Sequence, residues 1–245
     1  AESPLDENVI WAGTDDGNVQ VTQDGGNSWT NVTPKFAYHT GIDDNYNGPV
    51  VLLDLPANTW CYHIEASSFN KGSAYAVFDG HTQNDKKSYA FKTTDFGKTW
   101  KSIITPDVVG FVRCIQEDYK NENLLFLGTE LGLYITVDGG INWSKFTNNM
   151  PSVSVHYIDL HPVANDLVLG THGRGIIIID DISPLRQIIS DILTEDLFFF
   201  DTKPTTMSEE STFGGTSGET QFVGANKSSS AKIIYYLSKR HTFGK

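Results

Sequence analysis

Cations are scarce in this sequence: 18 Lys and Arg stand against 30 Asp and Glu, a formal charge of −12 over 245 residues. A nucleic-acid backbone or an anionic membrane needs clustered Lys and Arg, so neither is expected as a partner. An acidic ligand is disfavoured too, unless a local basic site exists. Cysteine is nearly absent, with two residues, which excludes a disulfide-dense scaffold. No apolar run is long enough to cross a bilayer as a helix, and no membrane insertion is expected. EF-hand, His-Glu-x-x-His and Cys-x-x-Cys patterns are also missing, so no cofactor is expected. Asp43-Asp44 and Asp15-Asp16 could contribute oxygen ligands for Ca²⁺.

What the chain has is repetition. Thr22-Gln-Asp24-Gly-Gly26-Asn-Ser28-Trp29, Thr93-Thr-Asp95-Phe-Gly97-Lys-Thr99-Trp100 and Thr136-Val-Asp138-Gly-Gly140-Ile-Asn142-Trp143 share the form Thr-x-Asp-x-Gly-x-(Ser/Thr/Asn)-Trp. Each copy joins two strand-like runs, as a hairpin turn does. Asp accepts backbone N–H bonds, Gly takes positive φ without a clash, and Trp folds over the hairpin. Asp95 and Asp138 lie about 43 residues apart, the length of one four-stranded propeller blade. Asp24 and Asp95 lie about 71 apart, so the second repeat carries an insertion, placed at 35–58 by its Gly, Asn, Asp and Pro content.

Period-2 and short apolar runs give each repeat up to four strands, A to D, running outward. The first shows B (9–13), C (18–22) and D (28–32), preceded by the tail of an inner strand. The second shows A (62–67), B (74–78), C (88–93) and D (99–104). The third shows A (112–117), B (124–128), C (133–136) and D (143–146), and the fourth A (155–160), B (167–170) and C (176–179). At Asp181 the motif breaks: Ile182-Ser183-Pro184 replaces Gly and Trp, Ser183 with Pro184 predicts a short helix over 183–192, and Leu197–Phe200 is expected to complete the last blade. Residues 206–220 read as a Ser/Gly/Glu/Thr linker. Gln221–Ala225 and Ile233–Leu237 then read as strands of a second β module over 221–245. Aligning Ile64 with Ile115 puts Cys61 and Cys114 at opposite strand parity, so two free thiols are expected.

The eight-residue motif is identified as an Asp box. Together with Gly13-Thr-Asp-Asp-Gly17, Gly170-Thr-His-Gly-Arg-Gly175 and Asp181-Ile-Ser-Pro-Leu-Arg-Gln187, it resembles the C-terminal part of large bacterial proteins with BNR (Asp-box) repeats, similar to the sortilin N-terminal propeller. The resemblance covers roughly residues 1–205. It implies an all-β fold: about three and a half to four blades of an incomplete Asp-box β-propeller, followed by the start of a β-sandwich-like module in which Lys227-Ser-Ser-Ser230 replaces the usual prolines. It also implies a fragment or one part of a split or processed protein, and an extracellular, cell-surface or periplasmic setting. An open arc would expose apolar faces on its end blades, so its partners are expected to be further blades from another chain or a second copy.

Chemistry is expected away from the boxes, whose Asp24, Asp95 and Asp138, with Gly26, Gly97, Gly140, Trp29, Trp100 and Trp143, are read as scaffold. The turns between strands B and C share the opposite face and offer Asp15, Asp16, Asp79, His81, Glu130, His172 and Arg174. The insertion adds Tyr38, His39, Asp43, Asp44 and Tyr46, with Trp60 after it. Such a rim suits a glycan or protein ligand, because aromatics stack on sugars and carboxylates take hydroxyl hydrogen bonds. The alternative is a glycoside hydrolase using Asp15, Asp16, Asp79 or Glu130; a sialidase needs an arginine cluster, and Arg113, Arg174 and Arg186 are too dispersed. Arg113 is expected to pair with Glu65 or Asp159 on neighbouring inner strands, although such a channel-lining charge can equally contact a ligand.

Overall fold

The computed structural model describes residues 1–34, 55–189, 191–204 and 230–239. Residues 35–54, with Tyr38, His39, Asp43, Asp44 and Tyr46, lie outside the described residues, as do the expected linker and the strand at 221–225. Two compact units divide the chain, Ala1–Arg186 and Gln187–Lys245.

The first unit is a series of antiparallel meanders. Strands β1 (Glu2–Ser3), β2 (Asp6–Gly13), β3 (Val19–Thr22) and β4 (Thr30–Asn31) form the first blade in chain order. β5 (Trp60–Ala66), β6 (Ala74–Asp79), β7 (Tyr89–Thr93) and β8 (Lys101–Ser102) form the second. β9 (Val112–Glu117), β10 (Leu125–Thr129), β11 (Gly132–Thr136) and β12 (Ser144–Lys145) form the third. The fourth has three strands, β13 (Ser154–His161), β14 (Asp166–His172) and β15 (Ile176–Ile179). The fold is all-β, an incomplete propeller in which each sheet packs face to face on the next.

Packing on both faces explains why β6 and β10 are buried at every position. Ala74, Ala76 and Phe78 join a core with Val9, Trp11 and Val21 of the first blade, whereas Tyr75 and Val77 turn the other way, toward Ile115, Leu125 and Leu127 of the third. Phe126 and Leu133 then face Val155, Ile158 and Leu169 of the fourth. On the fourth blade, Tyr157 is 61% exposed, Ile176 71% and Ile178 58%. Cys61 and Cys114 are free and buried, in the first and third of these cores, and burial pushes both thiols up to about 12.

The Asp boxes make the same bonds three times. Thr22, Thr93 and Thr136 donate hydroxyls to Asp24, Asp95 and Asp138 at 2.7, 2.9 and 2.6 Å and accept the N–H of Gly26, Gly97 and Gly140. Each carboxylate also accepts the backbone N–H of Ser28, Thr99 or Asn142 at 2.9 Å. Bonds from Ser28, then Thr22, pull Asp24 down to about 2. The tryptophans reach backward: Trp100 Nε1 donates to the Val32 carbonyl and Trp143 Nε1 to the Ile103 carbonyl, both at 2.7 Å, tying each blade to the one before it. Gly97 sits under that contact at φ +78, where a Cβ would lie 2.6 Å from Val32.

The fourth blade departs from expectation. Leu197–Phe199 (β16) does not complete it but pairs with Tyr235–Leu237 (β17) in a separate two-stranded sheet. The reason lies at the broken motif. Asp181 takes φ +53, the Ile182 N–H donates to the Asn165 carbonyl, and buried Ile182 draws the chain back beneath the blade. Arg186 fixes it there, with Nη2 2.7 Å from Asp118, Nη1 2.6 Å from Asn165 Oδ1 and its guanidinium over Tyr119. In place of one helix over 183–192 there are two 3₁₀ turns, Leu185–Gln187 and Ile192–Thr194.

Candidate functional site

The three inner strands β5, β9 and β13 carry a β-bulge at the same point of the repeat. Pairing skips Tyr62 between Cys61 and His63, Arg113 between Val112 and Cys114, and His156 between Val155 and Tyr157. A bulge leaves its extra residue out of the ladder and re-aims the side chain. Apolar positions bracket each skipped residue, since Ile64, Ile115 and Ile158 all follow two places later. Three polar or aromatic side chains are thereby presented at one level by three neighbouring blades.

Two of them, Tyr62 and Arg113, build a ladder. The Arg113 guanidinium carbon lies 4.8 Å from the Tyr62 ring and 4.7 Å from the Phe111 ring. Tyr62 meets Trp60 edge to face at 4.8 Å, and Phe111 stacks on His81 at 4.9 Å. Beneath them Asp79, at the end of β6 and with no side-chain exposure, accepts from Arg113 Nη1 at 2.7 Å and lies 2.7 Å from His81 Nδ1. The His81 backbone N–H donates to the same carboxylate at 2.9 Å. Removing one partner of so enclosed a pair leaves a bare buried charge and costs about 3–5 kcal/mol. On the fourth blade His156 stacks on His172 at 5.3 Å. Burial, then the charge of Arg113, holds His156 below the usual imidazole range.

Further along the same inner strands lies a second polar cluster, between the second and third blades. Buried Glu117 accepts from the Tyr75 hydroxyl at 2.8 Å, the Ser67 hydroxyl at 3.1 Å and the Ser68 N–H at 2.7 Å. Glu65 accepts from the Gln116 amide; burial, then the nearby charge of Glu117, pushes it up to about 8. Burial takes His63 down to about 4. The acceptor capacity of Glu117 is spent inside the protein, which makes this cluster a polar seam between blades.

The turn residues read from sequence separate into two groups. Asp79 and His81 join the ladder, His172 stacks on His156 on the fourth blade, and the expected partner of Arg113 is corrected: it is Asp79, not Glu65 or Asp159, because the bulge turns Arg113 toward the end of β6. Glu130 stands at the corresponding turn of the third blade, half-buried, its N–H donating to the Phe111 carbonyl at 3.0 Å. Arg174 is exposed on the fourth-blade turn. Asp15 and Asp16 are exposed on the first blade, and Asp16 lines a different cleft of about 630 Å³ with Asn18, Thr33, Leu55 and Pro56. Tyr62, Phe111 and His156 are additions that the turn-by-turn reading passes over. Among the described residues no group of His, Cys, Asp and Glu is placed to hold a metal ion, and no helix is long and apolar enough to cross a membrane.

No family model and no curated protein matches the sequence. Solved structures do match. The chain is similar to an ancestral GH74 enzyme, at 19% identity and a TM-score of 0.49 over 70% of this chain and 21% of that one. It is similar to YCF48 bound to D1 peptide, at 17% identity and a TM-score of 0.48 over 74% of this chain and 55% of the other. The GH74 xyloglucanase from Xanthomonas campestris is 16% identical with a TM-score of 0.44, over 78% and 37%. The chain spans from about a fifth to about half the length of these proteins.

Proposed function

We propose that the chain is a binding propeller of the BNR, sortilin-like kind, working outside the cytoplasm and taking a glycan or protein ligand on the rim formed by its B–C turns and inner-strand bulges. The observation that carries this reading is the convergence of Tyr62, Arg113 and His156 from three blades onto one rim with Trp60, His81 and His172. Aromatic rings and a cation held this rigidly bind well without performing chemistry, since their positions are set before a ligand arrives. The glycoside hydrolase alternative needs two carboxylates open to substrate. Asp79 is enclosed and bonded to Arg113 and His81, which leaves Asp15, Asp16 and Glu130 to that alternative.

A panel of immobilised glycans and peptides, probed with the labelled chain and assayed in parallel for released reducing ends, tests the reading. Binding without turnover, weakened in His172→Ala, is the expected result. Turnover that survives repurification and falls in Glu130→Gln would establish the hydrolase instead.

A further inference from the structure

His81 is held in one tautomer. Its Nδ1 lies 2.7 and 2.8 Å from the two oxygens of Asp79, and its backbone N–H donates to the same carboxylate at 2.9 Å. An ionised carboxylate only accepts, so the proton of the neutral ring sits on Nδ1 and Nε2 is left as an acceptor. The ring cannot turn over to exchange its nitrogens without giving up Asp79, and Phe111 stacks on it at 4.9 Å. Nε2 has no partner among the described residues, and the side chain is 34% exposed. A bare acceptor is thus fixed on the open edge of the second blade.

The rim around it carries no excess of positive charge. Asp79 matches the Arg113 guanidinium at 2.7 Å, and burial, then Arg113, holds His156 below the usual imidazole range. Glu130 on the third-blade turn offsets the exposed Arg174 on the fourth. An anion gains nothing here, whereas a neutral hydroxyl can donate to His81 Nε2. Beside these groups stand flat, partly apolar surfaces: Trp60, 36% exposed, meets Tyr62 edge to face at 4.8 Å. A neutral sugar ring has both halves of this pattern, a C–H face for the aromatic rings and hydroxyls at its edge. A peptide backbone brings as many carbonyls as N–H groups, and a carbonyl finds no donor at Nε2.

We infer that His81 determines the specificity of this rim: its Nε2 accepts a hydroxyl from a neutral glycan whose sugar ring lies on Trp60 and Tyr62. The inference rests on the binding reading above and narrows it to uncharged sugar chains.

Two measurements on the full chain test it. Nitrogen-15 NMR with labelled histidine, His81 being assigned by its loss in His81→Asn, is expected to show a protonated Nδ1 and a bare Nε2 that shifts when sugar is added. Isothermal titration with cellohexaose, xylohexaose, mannohexaose, a galacturonic acid hexamer and a glycine-serine hexapeptide reads the ligand class, and a neutral hexamer is expected to bind most tightly. His81→Asn keeps an N–H for Asp79 in the place of Nδ1 but removes Nε2. It should match the parent by circular dichroism and weaken that hexamer about threefold to tenfold, the range of one hydrogen bond. Trp60→Ala, at an exposed position, should weaken it as well. A bare Nδ1, tighter binding of the acid hexamer or the peptide, or full affinity in either variant would overturn the inference while leaving a binding propeller standing. A chain that binds no member of this panel or of the wider one would overturn both.

Discussion

The Asp-box tryptophans allow a controlled comparison, because one motif places the same residue in two environments. Trp143 is 4% exposed and donates Nε1 to the Ile103 carbonyl at 2.7 Å. Trp29 is 42% exposed, and among the described residues its indole N–H has no acceptor. Trp143→Phe strands that carbonyl, at about 1–3 kcal/mol. It also opens a void in the core that Trp143 shares with Val108 and Ile115, adding roughly 1–2 kcal/mol. The expected loss is about 3 kcal/mol, or roughly 6–12 °C in Tm for a chain of this size, a large share of the ~5–15 kcal/mol that holds a typical domain together. Trp29→Phe should stay within about 0.5 kcal/mol of the parent. Urea unfolding followed by far-ultraviolet circular dichroism reads both without relying on the altered fluorophore. If the two variants fall within about 1 kcal/mol of each other, the backward tie between blades is not what the tryptophan contributes.

Two more predictions concern the seams between blades. Glu65 is lifted from 4.5 to about 8 by burial and by Glu117, so the folded state holds its proton more tightly than the unfolded chain. Its contribution is complete below the unfolded value and is lost as pH rises toward 8; denaturation midpoints should therefore fall between pH 5 and 8, and Glu65→Gln should flatten that slope. A midpoint rising across this window in the parent would contradict the assignment. Gly97→Ala meets both a positive φ and a Cβ 2.6 Å from Val32; it should cost about 2–4 kcal/mol, whereas Gly26→Ala, with positive φ but open space around it, should cost about 1 kcal/mol.

The blades were legible because their signals are local. Within eight residues an Asp box contains both the carboxylate and the N–H groups it accepts, as Asp138 and Asn142 do, so the turn can be read without knowing what surrounds it. The near-continuous apolar runs of β6 and β10 likewise report burial on both faces. The site was less legible because its bonds run between repeats. Asp79 and Arg113 lie 34 residues apart, and Gln116 meets Glu65 across 51. A bulge leaves no compositional mark, so Arg113 looked like any inner-strand residue, with Glu65 and Asp159 as plausible partners. One signal was available: superposing Ile64, Ile115 and Ile158 puts Tyr62, Arg113 and His156 in one column, where an apolar repeat would place none of the three. The fourth blade misled for a different reason. Leu197–Phe199 has the composition of an outer strand, but the Arg186 anchor to Asp118 turns the chain inward before it.

The backward reach of the tryptophans also gives the chain a direction in time. A blade leaving the ribosome is not finished by its own residues; its outer carbonyl stays open until the tryptophan of the following blade emerges, 68 residues later for Val32 and Trp100 but 40 for Ile103 and Trp143. Closing the longer span costs about 0.5 kcal/mol more in chain entropy, but Trp100 emerges before Trp143, so the first and second blades can lock while the third is still being made. The third blade then docks onto a surface already formed, and assembly spreads along the arc in the order of synthesis.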